Sequence, residues 1–367
     1  MKRLLLILIV IGIFTIGAGG FLFSKFSKVF VKKEAVNEEP SIGVTIQPTL
    51  FEEKEGEVNI LLLGYGGSGH DGGTLTDTMI ILHINNQDKK AKLISIPRDL
   101  WLPIPVDWER TAFNKINAAY AIGLDDKKYP NKKPEFRGEA GGGTLAKYAA
   151  SVVTGLPIKY FIAVDFGQLT KIIDLLGGVE TDVPRAFHDY FYPVKGKELE
   201  LCGKSAEEVV QINSKYSGFE LEKQFTCRYE HLHFDKGQQI MTGETALKFV
   251  RSRHSETYGG DFARSERQYA LLLGIKNKLL SFEATGKTNV ILDKLTQNVR
   301  TDMDKNAISS IITFIGNSSE YQIGAIHLTE DNVLKSGTGP AGEFILVPRD
   351  GQNNWNGIRN YIQNGLN

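Results

Sequence analysis

Apolar runs closed by glycine open the folded part of this chain. Val58 to Gly64 (VNILLLG) is continuously apolar, the pattern of a strand buried on both faces. Thr78 to Ile84 and Ala91 to Ile96 follow, joined by the polar turn Asn85 to Lys90, and predict a hairpin. The period then lengthens. Leu145, Tyr148, Ala149, Val152 and Val153 fall on one helical face after a polar, glycine-containing loop from Asp125 to Gly143. Lys159 to Asp165 reads as a strand. Phe166, Leu169, Ile172, Ile173 and Leu176 mark a second helix, closed by Gly177 and Gly178 ahead of a short strand to Val183. Residues 188–233 are polar and without period, an insertion in the pattern. Helical stripes return at Tyr269, Leu272, Leu273, Leu279 and Leu280, and at Ile308, Ile311, Ile312 and Ile315. Gln322 to Leu328 and Phe344 to Pro348 read as strands, and Asn354 to Asn364 as a last helix. This alternation predicts an α/β fold, an α/β/α sandwich with a central mixed sheet.

The N-terminus obeys a different pattern. Leu4 to Phe23 carries no charge and is long enough to cross a bilayer as one transmembrane helix. Lys2 and Arg3 precede it, which keeps the first residues cytoplasmic and sends the rest outside. A cleavable signal peptide is the competing reading, with small residues at Gly17, Ala18 and Gly19, but the apolar run exceeds a usual signal core. The organisation expected is a cytoplasmic tail (1–3), a membrane anchor (4–23), a lysine-rich juxtamembrane linker (24–57) and an extracytoplasmic domain (58–367). Across 367 residues, 43 basic and 43 acidic side chains cancel, which excludes the broad basic surface that nucleic-acid binding needs. The two cysteines, Cys202 and Cys227, sit in the polar insertion, and either one disulfide or two free thiols fits them.

Candidate chemistry gathers in Lys248 to Gln268 (KFVRSRHSETYGGDFARSERQ). Thr242 caps a short predicted helix, and an extended exit from it places Arg251 and Arg253 on one side. A second helix is expected from Asp261 or Phe262, bringing Arg264, Arg267 and Gln268 onto one face near its N-terminus, where backbone N–H groups favour an anion. Guanidinium groups are well shaped for phosphate, although a solvated face paired with Glu256 and Glu266 has the same composition. Upstream, the glycine-rich loop Tyr65 to Thr76 lacks the Lys-Ser/Thr ending of a P-loop and any convincing following helix, so it is no nucleotide fingerprint. It delivers His70, Asp71 and Asp77 to the end of a sheet, with metal binding and turn capping both open to Asp77. Arg98 and Asp99 lie just past a strand end, where an ion pair and chemistry are equally consistent. Lys115 and Asn117 fall in a segment expected to start a helix.

Taken in order, NILLLG, LTDTMIILHI, ISIPRD, KINAAYA, YFIAVDF, GGVETDVP and FVRSRHS…GDFARSERQ resemble the LytR-CpsA-Psr family over residues 59–280, leaving a C-terminal extension at 316–367. The resemblance implies a membrane-anchored envelope phosphotransferase that moves a glycopolymer from undecaprenyl pyrophosphate to a hydroxyl of peptidoglycan or another acceptor, releasing undecaprenyl phosphate. It implies that Arg98, Lys115, Asn117, Arg251, Arg253, Arg264 and Gln268 lie around the pyrophosphate, with Mg2+ on Asp77. Arg98, Asp99, Arg251 and Arg253 are the residues expected to carry the chemistry, Asp99 or Asp261 serving as a base or as an orienting group. The pattern departs from the family twice. Tyr65 and Gly66 stand where many members have an Asp after the first strand, and Leu75 stands where many have an Arg. Asp71 is the candidate for the second metal-binding carboxylate. A non-catalytic polyprenyl-phosphate or glycan-binding regulator and a pyrophosphatase on the same carrier are the competing functions.

Overall fold

A computed structural model of the chain describes residues 50–52, 54–67, 73–284, 299–304, 306–307, 310–311, 314 and 320–367. The predicted anchor at 4–23, His70, Asp71 and the side chains of Leu279, Leu280 and Asp261 lie outside the description, as do Ile308, Ile312 and Ile315. Among the described residues no helix is long and apolar enough to cross a membrane.

The chain forms two compact units, one comprising Met1–Gly177 with Lys276–Asn367 and the other Gly178–Ile275. The first is a mixed α/β fold built on six strands. Its centre is β1 (Glu57–Tyr65), flanked by β2 (Thr76–Asn85) and then β3 (Lys90–Ser95), both antiparallel. On the other side β6 (Tyr160–Asp165) joins β1 in parallel, followed by the short antiparallel β11 (Arg300–Thr301). β12 (Gln322–His327) completes the far edge, parallel to β3. The continuous apolar run of β1 is explained by its place. Leu61 and Leu63 belong to a core with Met79, Ile81, Ile94, Ala146, Ala149 and Val153, while Ile60 and Leu62, on the other face, are buried as well.

Two small hairpins accompany the sheet, and of their four strands only Phe344–Pro348 showed in the hydrophobic pattern. β4 (Trp101–Pro105) pairs with β5 (Thr111–Lys115), and β13 (Leu334–Thr338) with β14 (Phe344–Pro348). Prolines at 103 and 105 mask β4 as a strand, and only a two-stranded ribbon with open edges tolerates them. The helix expected from Leu145 begins earlier, at Gly138, and runs to Thr154. Its glycines are not loop residues: a Cβ on Gly143 would lie 2.1 Å from the Phe161 ring, and one on Gly141 would lie 2.5 Å from the Phe136 carbonyl. Close packing, rather than flexibility, selects them.

In the second unit β7 (Val179–Val183) pairs with β10 (Gly237–Met241), and β8 (Phe187–Pro193) with β9 (Tyr229–Phe234). The stretch read as an unpatterned insertion therefore contains a β-ribbon, on which Phe187 and Phe234 stack at 5.2 Å. Between its strands lie the helices Ala206–Lys215 and Gly218–Glu222, and Cys202 is disulfide-bonded to Cys227. The helix Gly260–Ala284 buries Ala263, Arg264, Arg267, Ala270, Leu271 and Ile275. That stripe is displaced from the one predicted, because two arginines occupy positions that an apolar count assigns to solvent.

Candidate functional site

Each unit carries one group of the candidate residues. In the first, Asp77 is the second residue of β2, and Arg98 and Asp99 follow β3 across Pro97. Lys115 is the last residue of β5, not the start of a helix; Asn117 is the residue from which the helix Ala118–Leu124 departs. These side chains form an alternating chain of charge. Arg98 Nη1 is paired with Asp77 Oδ1, and Arg98 Nε donates to Asp99 Oδ2 at 3.4 Å. Lys115 Nζ donates to Asp99 Oδ1 at 2.5 Å. Asp99 is only 5% exposed, with one oxygen turned to each cation, so its geometry suits orienting Arg98 and Lys115 better than abstracting a proton. Asn117 ties the group together through its backbone: its carbonyl accepts from Thr76 N at 3.2 Å and Thr76 Oγ1 at 3.3 Å. Tyr65, in the place of the family's acidic residue, is buried with its ring 5.2 Å from that of Tyr120. Burial drives both phenols up, and Arg300, which no motif signalled, partly opposes the shift.

In the second unit the helix Gly243–Arg251 begins at Thr242, whose Oγ1 accepts from Thr245 N at 3.3 Å. Arg251 is still helical, so the period-two alignment with Arg253 does not apply; the chain turns at Ser252 instead. Arg251 Nη1 donates to the Tyr192 hydroxyl at 3.3 Å. Burial pushes the Tyr192 phenol up, and the adjoining Arg251 pulls it down in part. Arg267 is wholly buried: Nε donates to the Phe249 carbonyl at 2.9 Å, Nη1 to that of Tyr258 at 2.8 Å, and Nη2 to that of Ser252. Its guanidinium therefore clamps the turn that carries Arg251 and Arg253 and is spent on backbone, not on an anion. Burial lowers it to about 10, so it stays charged at neutral pH. Arg264 is buried to 7% exposure one turn earlier, and Gln268 is half-buried. The glycine pair has two separate causes. A Cβ on Gly259 would lie 2.2 Å from the Ser255 carbonyl, whereas Gly260 takes φ +76°.

The buried carboxylate of Asp189, 1% exposed on β8, was not foreseen. It accepts from Ser252 Oγ at 2.6 Å and from the backbone N–H groups of Arg253 and His254 at 3.1 and 3.2 Å. A signal existed: in FHDYFY, period two puts Asp189 on the face of Phe187.

An oxygen donor such as Asp77 suits magnesium, and no cluster of three His, Cys, Asp or Glu side chains able to hold a metal occurs among the described residues.

Comparison with known proteins follows the same lines. The chain is 30% identical over 264 residues to the Oceanobacillus iheyensis polyisoprenyl-teichoic acid–peptidoglycan teichoic acid transferase TagU, covering 72% of this chain and 64% of that protein's length. It is 27% identical over 342 residues to the protein of the same name from Bacillus mycoides, covering 90% and 91%. The crystal structure of B. subtilis TagV has the same fold, with a TM-score of 0.53 at 23% identity over 86% of this chain and 98% of that one. The family model described as LytR_cpsA_psr matches residues 21–341, and the chain belongs to that family.

Proposed function

We propose that this protein transfers a glycopolymer from a polyprenyl-pyrophosphate carrier to a hydroxyl of peptidoglycan or another envelope acceptor, releasing the polyprenyl phosphate. The observation that carries this reading is the arrangement around Asp99: one buried carboxylate aims both a guanidinium and an ammonium, Arg98 and Lys115. Phosphoryl transfer asks a protein mainly for positioned positive charge. Arg251 and Arg253 offer a second set of phosphate donors on a turn held by buried groups. Relatives named as teichoic acid transferases support the choice of substrate class. Asp77, with its carboxylate beside Arg98, would hold Mg2+ together with pyrophosphate oxygens, and bound there the ion would neutralise charge on the phosphates. The residues themselves orient the pyrophosphate and stabilise negative charge on the departing phosphate. A membrane anchor at 4–23 and an extracytoplasmic domain complete the proposal, and the Cys202–Cys227 disulfide suits that oxidising side.

Mass spectrometry of the purified protein is expected to detect a co-purifying polyprenyl phosphate or pyrophosphate. Purified protein given a lipid-linked glycan and peptidoglycan is expected to yield acceptor-linked polymer. Arg98→Ala is expected to lower that yield by about 100-fold or more, the scale for losing one charge-stabilising donor. Release of phosphate without acceptor-linked product would establish a pyrophosphatase instead, and lipid retention without turnover a binding protein.

A further inference from the structure

The two arginines of the turn owe their position to groups outside the motif. Arg251 closes the helix Gly243–Arg251, and Arg253 and His254 follow one irregular residue, Ser252. A turn of this kind leaves N–H and C=O groups without helical partners, and buried polar groups need partners. They are divided between two ions. Arg267 takes the carbonyls of Phe249, Ser252 and Tyr258. Asp189 takes the donors: Ser252 Oγ and the N–H groups of Arg253 and His254 all reach Oδ2, while Oδ1 accepts from Phe191 N at 2.9 Å. Every one of these four contacts to Asp189 is a donor. An isosteric asparagine must therefore set its own NH2 against at least one N–H, whichever way the amide is turned.

Resting on the phosphate-binding role proposed for Arg251 and Arg253, we propose that Asp189 is a positioning residue for substrate capture, fixing the backbone from which Arg253 reaches the pyrophosphate. It lies in the polar stretch between the sheet strands and the arginine motif, so a residue of the insertion sets the geometry of the motif. Ser252 is the second half of the device, its hydroxyl being the shortest of the contacts to the carboxylate. The role of Asp189 is exercised through Arg253, and its loss and the loss of Arg253 are consequently not additive.

The test measures binding of farnesyl pyrophosphate, a soluble polyprenyl pyrophosphate, by titration calorimetry to the full chain and to Asp189→Asn, Ser252→Ala, Arg253→Ala and the two double variants with Arg253→Ala. Near-UV circular dichroism identifies the variants that keep native packing. Asp189→Asn is expected to weaken binding by about 10-fold or more, since small displacements of positioning groups are costly. Ser252→Ala, which deletes one hydrogen bond, is expected to weaken it by about 3- to 10-fold. In the Arg253→Ala background each is expected to change affinity by less than about 2-fold, a coupling that general loosening of the fold would not produce. If Asp189→Asn does not fold, Ser252→Ala and its double variant decide the matter alone. Native-like Asp189→Asn and Ser252→Ala proteins that bind as tightly as the parent overturn the inference and leave the proposed function standing. Equal losses with and without Arg253 overturn it too. A parent protein that binds no polyprenyl pyrophosphate overturns the functional reading and the inference with it.

Discussion

His83 and Arg267 are buried ionisable side chains with opposite needs. Burial holds the His83 imidazole down at about 4, with the Lys54 ammonium adding to the shift, from an ordinary 6.5. The neutral ring suits its contact, Nδ1 lying 2.9 Å from Asn59 Oδ1, while Asn59 Nδ2 donates to the Pro157 carbonyl at 2.9 Å. Because the folded ring resists protonation, the unfolded chain binds the extra proton between pH 6.5 and about 4. Stability is therefore full above pH 6.5, falls as pH drops through that window and levels off below it, by on the order of 3 kcal/mol in all. Denaturant midpoints at pH 7 and pH 4.5 are expected to differ less for His83→Gln than for the parent; equal differences would show that His83 is not the group responsible. Arg267 instead must keep its charge, since it satisfies three carbonyls. Arg267→Leu leaves them buried without partners and is expected to cost about 3 kcal/mol or more, read as a lowered Tm. Nothing in the spacing of Arg264, Arg267 and Gln268 distinguishes this structural arginine from one that meets an anion. Helical periodicity groups residues on a face, but the burial of that face depends on what packs there.

At the scale of elements, glycine carries opposite meanings in different places. Gly141 and Gly143 lie inside the helix Gly138–Thr154, against Gly123, Phe136 and Phe161. Alanine at 143 would gain about 1 kcal/mol in helix propensity. It would also put a methyl group 2.1 Å from the Phe161 ring, an overlap whose relief costs about 1–3 kcal/mol. Gly143→Ala is expected to lower the urea midpoint, and a raised midpoint would show that the helix has room to spare. The strands of the sheet were legible from apolar runs because β1, β2 and β3 bury side chains on a regular backbone. β4 was not, since its prolines imitate a loop, and the β8–β9 ribbon was not, since His188, Tyr190, His231 and His233 on its outer face are exposed. The ribbon's period of two was present but hidden, because its buried face includes Asp189, a carboxylate that an apolar count assigns to solvent.

Across the whole chain the polar insertion is where covalent and non-covalent restraints meet. The Cys202–Cys227 bridge closes a segment of sequence separation 25, and the helix Ala206–Lys215 within it buries no residue. Within the segment Phe225 is buried, so the cross-link acts together with that one anchor. Replacing both cysteines by serine is expected to cost about 3 kcal/mol on loop-entropy grounds, visible as a lower Tm that reductant no longer changes. An unaltered Tm would mean that the segment is held by its aromatic contacts alone, among them Phe219 on His254 at 4.4 Å and Phe191 on Phe219 at 4.9 Å.

The amino-acid sequence by itself determined the central strands, the hairpin β2–β3, the helix Phe166–Leu175 and the family, because runs of apolar residues and short motifs are properties of neighbours along the chain. It also placed Arg98, Asp99, Lys115, Arg251 and Arg253 among the candidates, since their residue types and the blocks around them are local. Only the tertiary structure decided which cations are aimed and which are consumed. Asp99 pairs with both Arg98 and Lys115 in one chain of charge, Arg267 is withdrawn into the backbone, and Asp189, from a strand about 60 residues away, holds the turn of Arg253. The physical reason is that a buried charge is stable only beside its partners, and those partners are brought in by packing between segments distant in sequence.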